Sequence, residues 1–245
     1  LIRPHEVIEP RFSDPALPPD TRIYAVGDIH GRADLLNDVI QRIEDDCARR
    51  PVGTAIEVYI GDYIDRGPHS KNVIETLAWR VAQRRAVCLR GNHEALLEAF
   101  LADPAGLHPW MHVGARQTLE SYGLSRSDLE ASEFHIHRRL LDIFPEAHRL
   151  FLGCLQNYFS CGDFLFVHAG LRPRIPLVQQ SLHDLHWIRD EFLDFKQSHG
   201  PLVVHGHTPV PHPELLPNRI NIDTGAWMSG ALTCIAIEGS QIIVL

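Results

Sequence analysis

The chain has 245 residues, enough to bury a substantial core, and its 44% hydrophobic and 22% charged residues are ordinary for a globular protein. A net charge of −8 without any Lys/Arg block argues against the basic face of a nucleic-acid binder, and no apolar run approaches the roughly 20 residues that cross a bilayer. Five cysteines with no C-x-x-C spacing exclude a thiolate zinc motif and fit a reducing, cytoplasmic setting.

The first 20 residues carry Pro4, Pro10, Pro15, Pro18 and Pro19 and read as an extended arm, ahead of a single domain over 21–245. No basic-then-apolar leader opens the sequence given, which begins with Leu1. A rhythm follows. "RIYAV" reads as a strand, and the next segment repeats Leu35, Leu36, Val39, Ile40 and Ile43 at the helical period. "AIEVYI" is a strand. "SKNVIETLAWRVAQRR" is a helix with Ser70 as N-cap, and its Arg84-Arg85, like Arg49-Arg50 before it, suits a helix end. "AVCL" is a strand and "NHEALLEAFLA" opens a helix. Such alternation predicts a parallel sheet with helices packed on it. From about 102 to 155 only helical stripes occur, which predicts a helical insertion. Strands resume at "FLFVH", "LVVH", "INID", "LTCIAIE" and "IIVL", the last two forming a hairpin across "GSQ".

Five of these strands run into the same kind of polar loop: Asp28 and His30 after the first, Asp62, Asp65 and Arg66 after the second, Asn92 and His93 after the third, then His168, then His205 and His207. In open α/β sheets the carboxyl ends of the strands line the ligand crevice, so the five loops converge on one edge. A single Gly-Asp or a lone histidine after a strand is ordinary turn chemistry or scaffolding. Five together specify a site. Asp, His and Asn without thiolate suit manganese, iron or zinc, and a carboxylate such as Asp62 has two oxygens with which to bridge two ions. The pair His205 and His207 leaves open whether both, one or neither serves a metal. They would share a face in a continuing strand, yet Gly206 and Pro209 mark the strand's end.

"GDIHG", "GDYIDRG", "GNHE", "VHAG" and "GHTP", in this order, resemble the phosphoprotein phosphatase branch of the calcineurin-like metallophosphoesterases. The likeness runs from about residue 22 to the end. "INIDTGAWMSGALTCIAIEG" and "LHWIRDEFL" look closest to its bacterial and phage lambda-type members. The resemblance implies a four-layer α/β/β/α sandwich with a helical insertion and two divalent ions, manganese foremost, with iron or zinc as alternatives. It implies Asp28, His30 and Asp62 around the first ion, and Asp62, Asn92, His168 and His207 around the second. His93 would be the general acid, held by Asp65. Arg66, Arg189 and Asn92 would grip the phosphate. His207 is then the late ligand, Pro209 removes any further one, and His205 is either packed behind the centre or in contact with a metal. Trp110 and Gly114 match a segment that borders the site, as a lid or as packing. Trp187 is expected to buttress Arg189, Arg172 is a further substrate contact to test, and His135 and His137 read as solvated or packed.

The implied function is hydrolysis of phosphoprotein monoesters, on serine/threonine or tyrosine, by direct in-line attack of water activated between the two ions, without a phosphoenzyme. The runner-up is symmetrical cleavage of dinucleoside polyphosphates. Those enzymes share the fold, but typically lack the Asp of the D-R-G triplet and carry G-N-H-D. Asp65 and Glu94 therefore favour the phosphatase. A binding module that had lost catalysis would be expected to have lost ligands, and every motif position is filled. The expected partner is a phosphoprotein, with neither nucleic acid nor membrane involved, and the sequence names no oligomeric state.

Overall fold

Side-chain alternation decides the layers. In β2 (Thr21–Val26) Ile23 and Ala25 join one apolar cluster, and Tyr24 and Val26 join another on the opposite face. β6 (Phe164–Val167) does the same, with Phe164 and Phe166 on one side and Leu165 and Val167 on the other. The shared cluster, with Val58, Val204, Ile220, Ile235 and Ile237, lies between two sheets. In the computed structural model, which describes Val7–Ile8 and residues 15–245, the result is the expected four-layer α/β class with two mixed sheets and eleven α-helices among the described residues. Most of the proline-rich arm lies outside the described residues.

The first sheet has the order β1-β11-β10-β2-β3-β4 and also contains β3 (Thr54–Tyr59), β4 (Ala86–Cys88), β10 (Cys234–Glu238), β11 (Gln241–Val244) and β1 (Val7–Ile8). Only β2, β3 and β4 run parallel, because the hairpin β10–β11 joins β2 antiparallel and β1 adds to β11 the same way. The second sheet, β5-β6-β7-β9-β8, contains β5 (Tyr158–Cys161), β7 (Leu202–His205), β8 (Glu214–Leu215) and β9 (Arg219–Asn221), with β6, β7 and β9 parallel. The expected parallel order thus holds at the heart of each sheet and fails at its edges.

Helices α1 (Ala33–Arg49) and α2 (Ser70–Gln83) cover the first sheet through Leu36, Val39 and Ile43 and through Val73, Ile74 and Leu77. α3 (Asn92–Ala102) leads into a wholly helical block: a 3₁₀ turn at Pro104–Gly106, then α4 (Leu107–Met111), α5 (Ala115–Ser121), α6 (Arg126–Leu129), α7 (Glu133–Ile143) and α8 (Glu146–Gly153). α9 (Leu182–Trp187) and α10 (Asp190–Leu193) close the outer face of the second sheet with Leu185, Ile188 and Phe192. α11 (Ala226–Ser229) follows β9. The sequence reading missed α9 to α11, whose four to six residues are too short to show a 3.6 stripe. It missed β8, flanked by Pro213 and Pro217, for the same reason of length. None of the helices among the described residues is long and apolar enough to cross a membrane.

One buried ion pair locks α2 to β3. Both Arg80 and Glu57 are buried, and they meet through two hydrogen bonds, one from Nε to Oε2 at 2.8 Å, while Tyr59 also donates to Oε2 at 2.8 Å. Arg80→Ala leaves Glu57 charged, buried and without its main partner, an expected cost of about 3–5 kcal/mol. Urea unfolding would measure it, and a loss under about 1 kcal/mol, the value of a surface pair, would contradict this reading.

Candidate metal centre and active site

The carboxyl ends of β2, β3 and β4 meet those of β6, β7 and β9 at one edge of the sandwich, and the polar loops leave the sheets there. Five of the seven non-glycine residues with left-handed backbone among the described residues are in these loops: His30 (φ 46°), Asp62 (51°), Asp65 (72°), Arg66 (65°) and His207 (65°). L-residues adopt this region at a cost, and tertiary contacts hold them in it. The turn at His207 also answers the question of the two histidines. β7 ends at His205, and the left-handed step at His207 breaks the alternation that would have put both rings on one face.

Two clusters of candidate ligands share Asp62. One gathers His30, Asp62 and His93, the other Asp62, His168 and His207, with ligand atoms within 4.8 Å of one another in each. Asn92 lies with the second: its Oδ1 is 3.0 Å from His168 Nε2 and 2.9 Å from His207 Nδ1. Asp28 accepts the His207 backbone N–H at 2.9 Å, which ties the two sheets together. All six expected ligands are brought into one buried centre, none of them more than 5% exposed. Glycine is required at two approaches: a Cβ on Gly91 would collide with Asp62 Oδ1, and one on Gly206 with Asp28 Oδ1.

These residues fit a pair of cations. His30 Nδ1 donates to the Ile64 carbonyl at 2.8 Å, so its Nε2 lone pair faces Asp62 Oδ2 at 3.6 Å. His168 Nδ1 faces the Ile60 carbonyl at 3.2 Å, which turns its Nε2 lone pair toward Asn92 Oδ1. Lone pairs confronting each other in a dry site call for a cation between them, and a backbone carbonyl behind the ring is the usual support of a ligating histidine. Asp28 Oδ1 and His207 Nε2 are buried with no hydrogen-bond partner. Burial holds His30 at about 3 and His207 at about 2, and lowers His168, so the rings are neutral and ready to ligate. Burial, then Asp223 and Asp62, raises Asp28 well above the carboxylate range, and burial lifts Asp223 to about 6. That crowding of carboxylates is what divalent charge relieves.

His93 is the exception among the imidazoles. Burial works against its charge, but Asp62 and Asp65 prevail and raise its pKa. Its Nδ1 is 2.6 Å from Asp65 Oδ2, and its Nε2 is 3.7 Å from Asp62 on the centre's side. Arg66 is half-buried, with its guanidinium 5.1 Å from the ring centre of Trp227, itself 39% exposed. Arg189 is exposed, and its nearest polar contact is the His207 carbonyl at 3.4 Å. Both arginines border the centre with their guanidinium groups largely free.

Among the residues around the centre, Trp187 is the one expectation that changes. His205 is packed: Nδ1 faces the Gly206 carbonyl at 3.1 Å, Nε2 faces Arg219 at 3.4 Å, and Phe192 meets the ring edge-on. Trp187 lies edge-on to His207 at 6.2 Å, so it buttresses a candidate ligand. Arg172 grips Asp184 in a two-point pair at 2.7 and 3.1 Å, which engages it in structure. His135 pairs with Asp128 on the surface and His137 packs on Phe100, as expected. Trp110 is fully buried and donates to Asp65 at 2.8 Å, which is no place for a swinging lid. Glu94 accepts the N–H groups of Asp62, Tyr63 and Gly91 at 2.8–3.0 Å; it braces the loops and does not itself face substrate. All five cysteines are free.

Sequence reasoning missed Asp223 and Thr118. Asp223 follows β9 at the same sheet edge, so the rule that selected five loops applies to this sixth strand end as well. Thr118, on α5, carries no local signal.

Residues 21–229 match the family model described as calcineurin-like phosphoesterase. A bis(5'-nucleosyl)-tetraphosphatase PrpE [asymmetrical] of Anoxybacillus flavithermus is 28% identical, with 86% of this chain and 88% of that one covered. A solved structure described as a putative diadenosine tetraphosphatase superposes with a TM-score of 0.62 at 19% identity, covering 96% of this chain and 98% of that one. The cold-active protein-tyrosine phosphatase of a Shewanella species gives 0.57 at 16%, covering 94% and 80%. Both structural matches speak for the fold.

Proposed function

The chain belongs to the calcineurin-like phosphoesterase family, and on that premise we propose that it hydrolyses phosphate monoesters on phosphoproteins, with a serine or threonine hydroxyl as the foremost leaving group. The observation that carries this reading is the buried pair His93–Asp65, joined at 2.6 Å, with the second ring nitrogen directed toward the centre. An alkoxide is a poor leaving group and needs a proton as the P–O bond breaks. His93 delivers it from Nε2, while Asp65 holds Nδ1 and balances the charge. Arg66 and Arg189 fork onto the phosphoryl oxygens from two sides. Asp28, His30, Asp62, Asn92, His168 and His207 would hold two divalent ions, with manganese the expected species. Such a pair, when bound, neutralises phosphoryl charge and lowers the pKa of the attacking water.

A second reading is hydrolysis of dinucleoside polyphosphates, favoured by the name that the Anoxybacillus relative carries. There the leaving oxygen belongs to a phosphate whose pKa is about 6, against about 10 for a tyrosine. Such a group departs without help, and a buried acid would be idle. The test is the initial rate of Mn²⁺-loaded protein on matched phosphoserine and phosphotyrosine peptides, with diadenosine tetraphosphate alongside. Faster turnover of the phosphoserine peptide is expected. Turnover of the dinucleotide alone would replace the first reading with the second.

A further inference from the structure

We propose that Trp110 and Thr118 are positioning residues for the acid, so that the helical block completes the catalytic apparatus of the sandwich. This rests on His93 acting as the acid. The loops at the strand ends and the first residue of α3 supply every candidate metal ligand, yet they supply nothing that fixes the far side of Asp65. That side belongs to α4 and α5.

Asp65 has no exposed surface, and each of its side-chain partners is a donor. Oδ2 receives His93 Nδ1 at 2.6 Å and Trp110 Nε1 at 2.8 Å, and Oδ1 receives the Thr118 hydroxyl at 2.5 Å. Thr118 Oγ1 also accepts the Asp65 backbone N–H at 2.8 Å and lies 3.0 Å from Ser70 Oγ, which closes a ring around the left-handed turn. A carboxylate held by one hydrogen bond swings about its last torsion, and the imidazole it carries swings with it. Three donors from α3, α4 and α5 remove that freedom. The same block reaches the phosphate-gripping side: the Arg66 N–H donates to the Gly114 carbonyl at 3.3 Å and its Nε to the Val113 carbonyl at 3.4 Å. Trp110 packs against Phe100 at 5.5 Å, on the same α3 helix that presents His93. Acid and support are therefore set against one another by a single buried indole and one hydroxyl, and the Val113 and Gly114 carbonyls of the same block hold the arginine. An acid displaced by a fraction of an ångström loses rate in proportion to how much the leaving group needs its proton.

The experiment compares Thr118→Val, which keeps shape and removes the hydroxyl, and Trp110→Phe with the parent and with His93→Asn. Each is loaded with Mn²⁺, metal content is measured, and kcat is read on a phosphoserine peptide and on 4-nitrophenyl phosphate, whose leaving group needs little help. Both variants are expected to lose roughly tenfold or more on the peptide and far less on the aryl ester, with KM and metal content close to the parent. Thr118→Ser, which restores the hydroxyl, should recover most of the loss. Equal losses on the two substrates, or none on either, would overturn the positioning role. If Trp110→Phe folds poorly, Thr118→Val and its serine rescue decide alone. His93→Asn separates the two levels of the claim. A steep leaving-group dependence in His93→Asn with flat Thr118→Val and Trp110→Phe overturns only the inference about the block. A flat dependence in His93→Asn overturns the acid itself, and the inference with it.

Discussion

Asp62→Asn protein is expected to bind fewer than the full pair of metal ions and to lose phosphatase activity by on the order of 10³-fold or more, above the cost of deleting one transition-state donor. Asp62 is the member common to both ligand clusters, so its substitution touches both ions at once. An asparagine keeps the shape, but it offers one oxygen where the carboxylate offers two, and turns an N–H₂ toward Nε2 of His30 or toward Nε2 of His168. It also removes one of the two carboxylate charges that raise the His93 pKa. The fold should survive. Without metal, Asp62 crowds Asp28 and Asp223 but is itself favoured as a carboxylate by the imidazoles around it, so the metal-free variant should melt close to the metal-free parent. Metal content by mass spectrometry, thermal melting and kcat/KM together test this. A variant that keeps both ions and activity within about tenfold of the parent would mean that Asp62 does not bridge.

His93→Asn is expected to lower kcat on a phosphoserine peptide by about 10²–10⁴-fold, the usual worth of a placed general acid, with little change in KM. Metal content is the critical control. His93 falls geometrically in one cluster with His30 and Asp62, and a third ligand at the first ion is the rival role for it. Its Nδ1 is committed to Asp65, and only Nε2 is available on the side of the centre. Full occupancy with slow turnover supports the acid. Loss of an ion along with activity would make His93 a ligand and leave the leaving group without a donor.

Much of this centre is legible in the sequence. The loops after β2, β3, β4, β6 and β7 announced themselves because a strand pattern ended each time in Asp, His or Asn, and parallel strands must bring such ends to one edge. The helical block was legible from the absence of strand signal over about 50 residues. The edges were not. β1 and β8 have two residues each, and a two-residue strand has no period to detect.

The resemblance also pointed to Glu94 and Asp65 as markers of substrate class, and here the structure separates the two. Glu94 binds three backbone N–H groups behind the site, whereas Asp65 holds His93, the proposed acid. Adjacent motifs of similar appearance thus do different work, which no spacing rule distinguishes.

The sequence by itself determined the class of fold, the oxygen and nitrogen character of the ligand set and the edge at which it assembles, because these follow from local periodicity and residue type. Tertiary structure alone decided which nitrogen of each histidine faces the centre, that His205 packs away from it, and that Trp110 and Thr118 close on Asp65. Those outcomes depend on backbone carbonyls, left-handed turns and side chains distant in sequence, 45 and 53 residues from Asp65. Only the folded chain brings them within hydrogen-bond reach.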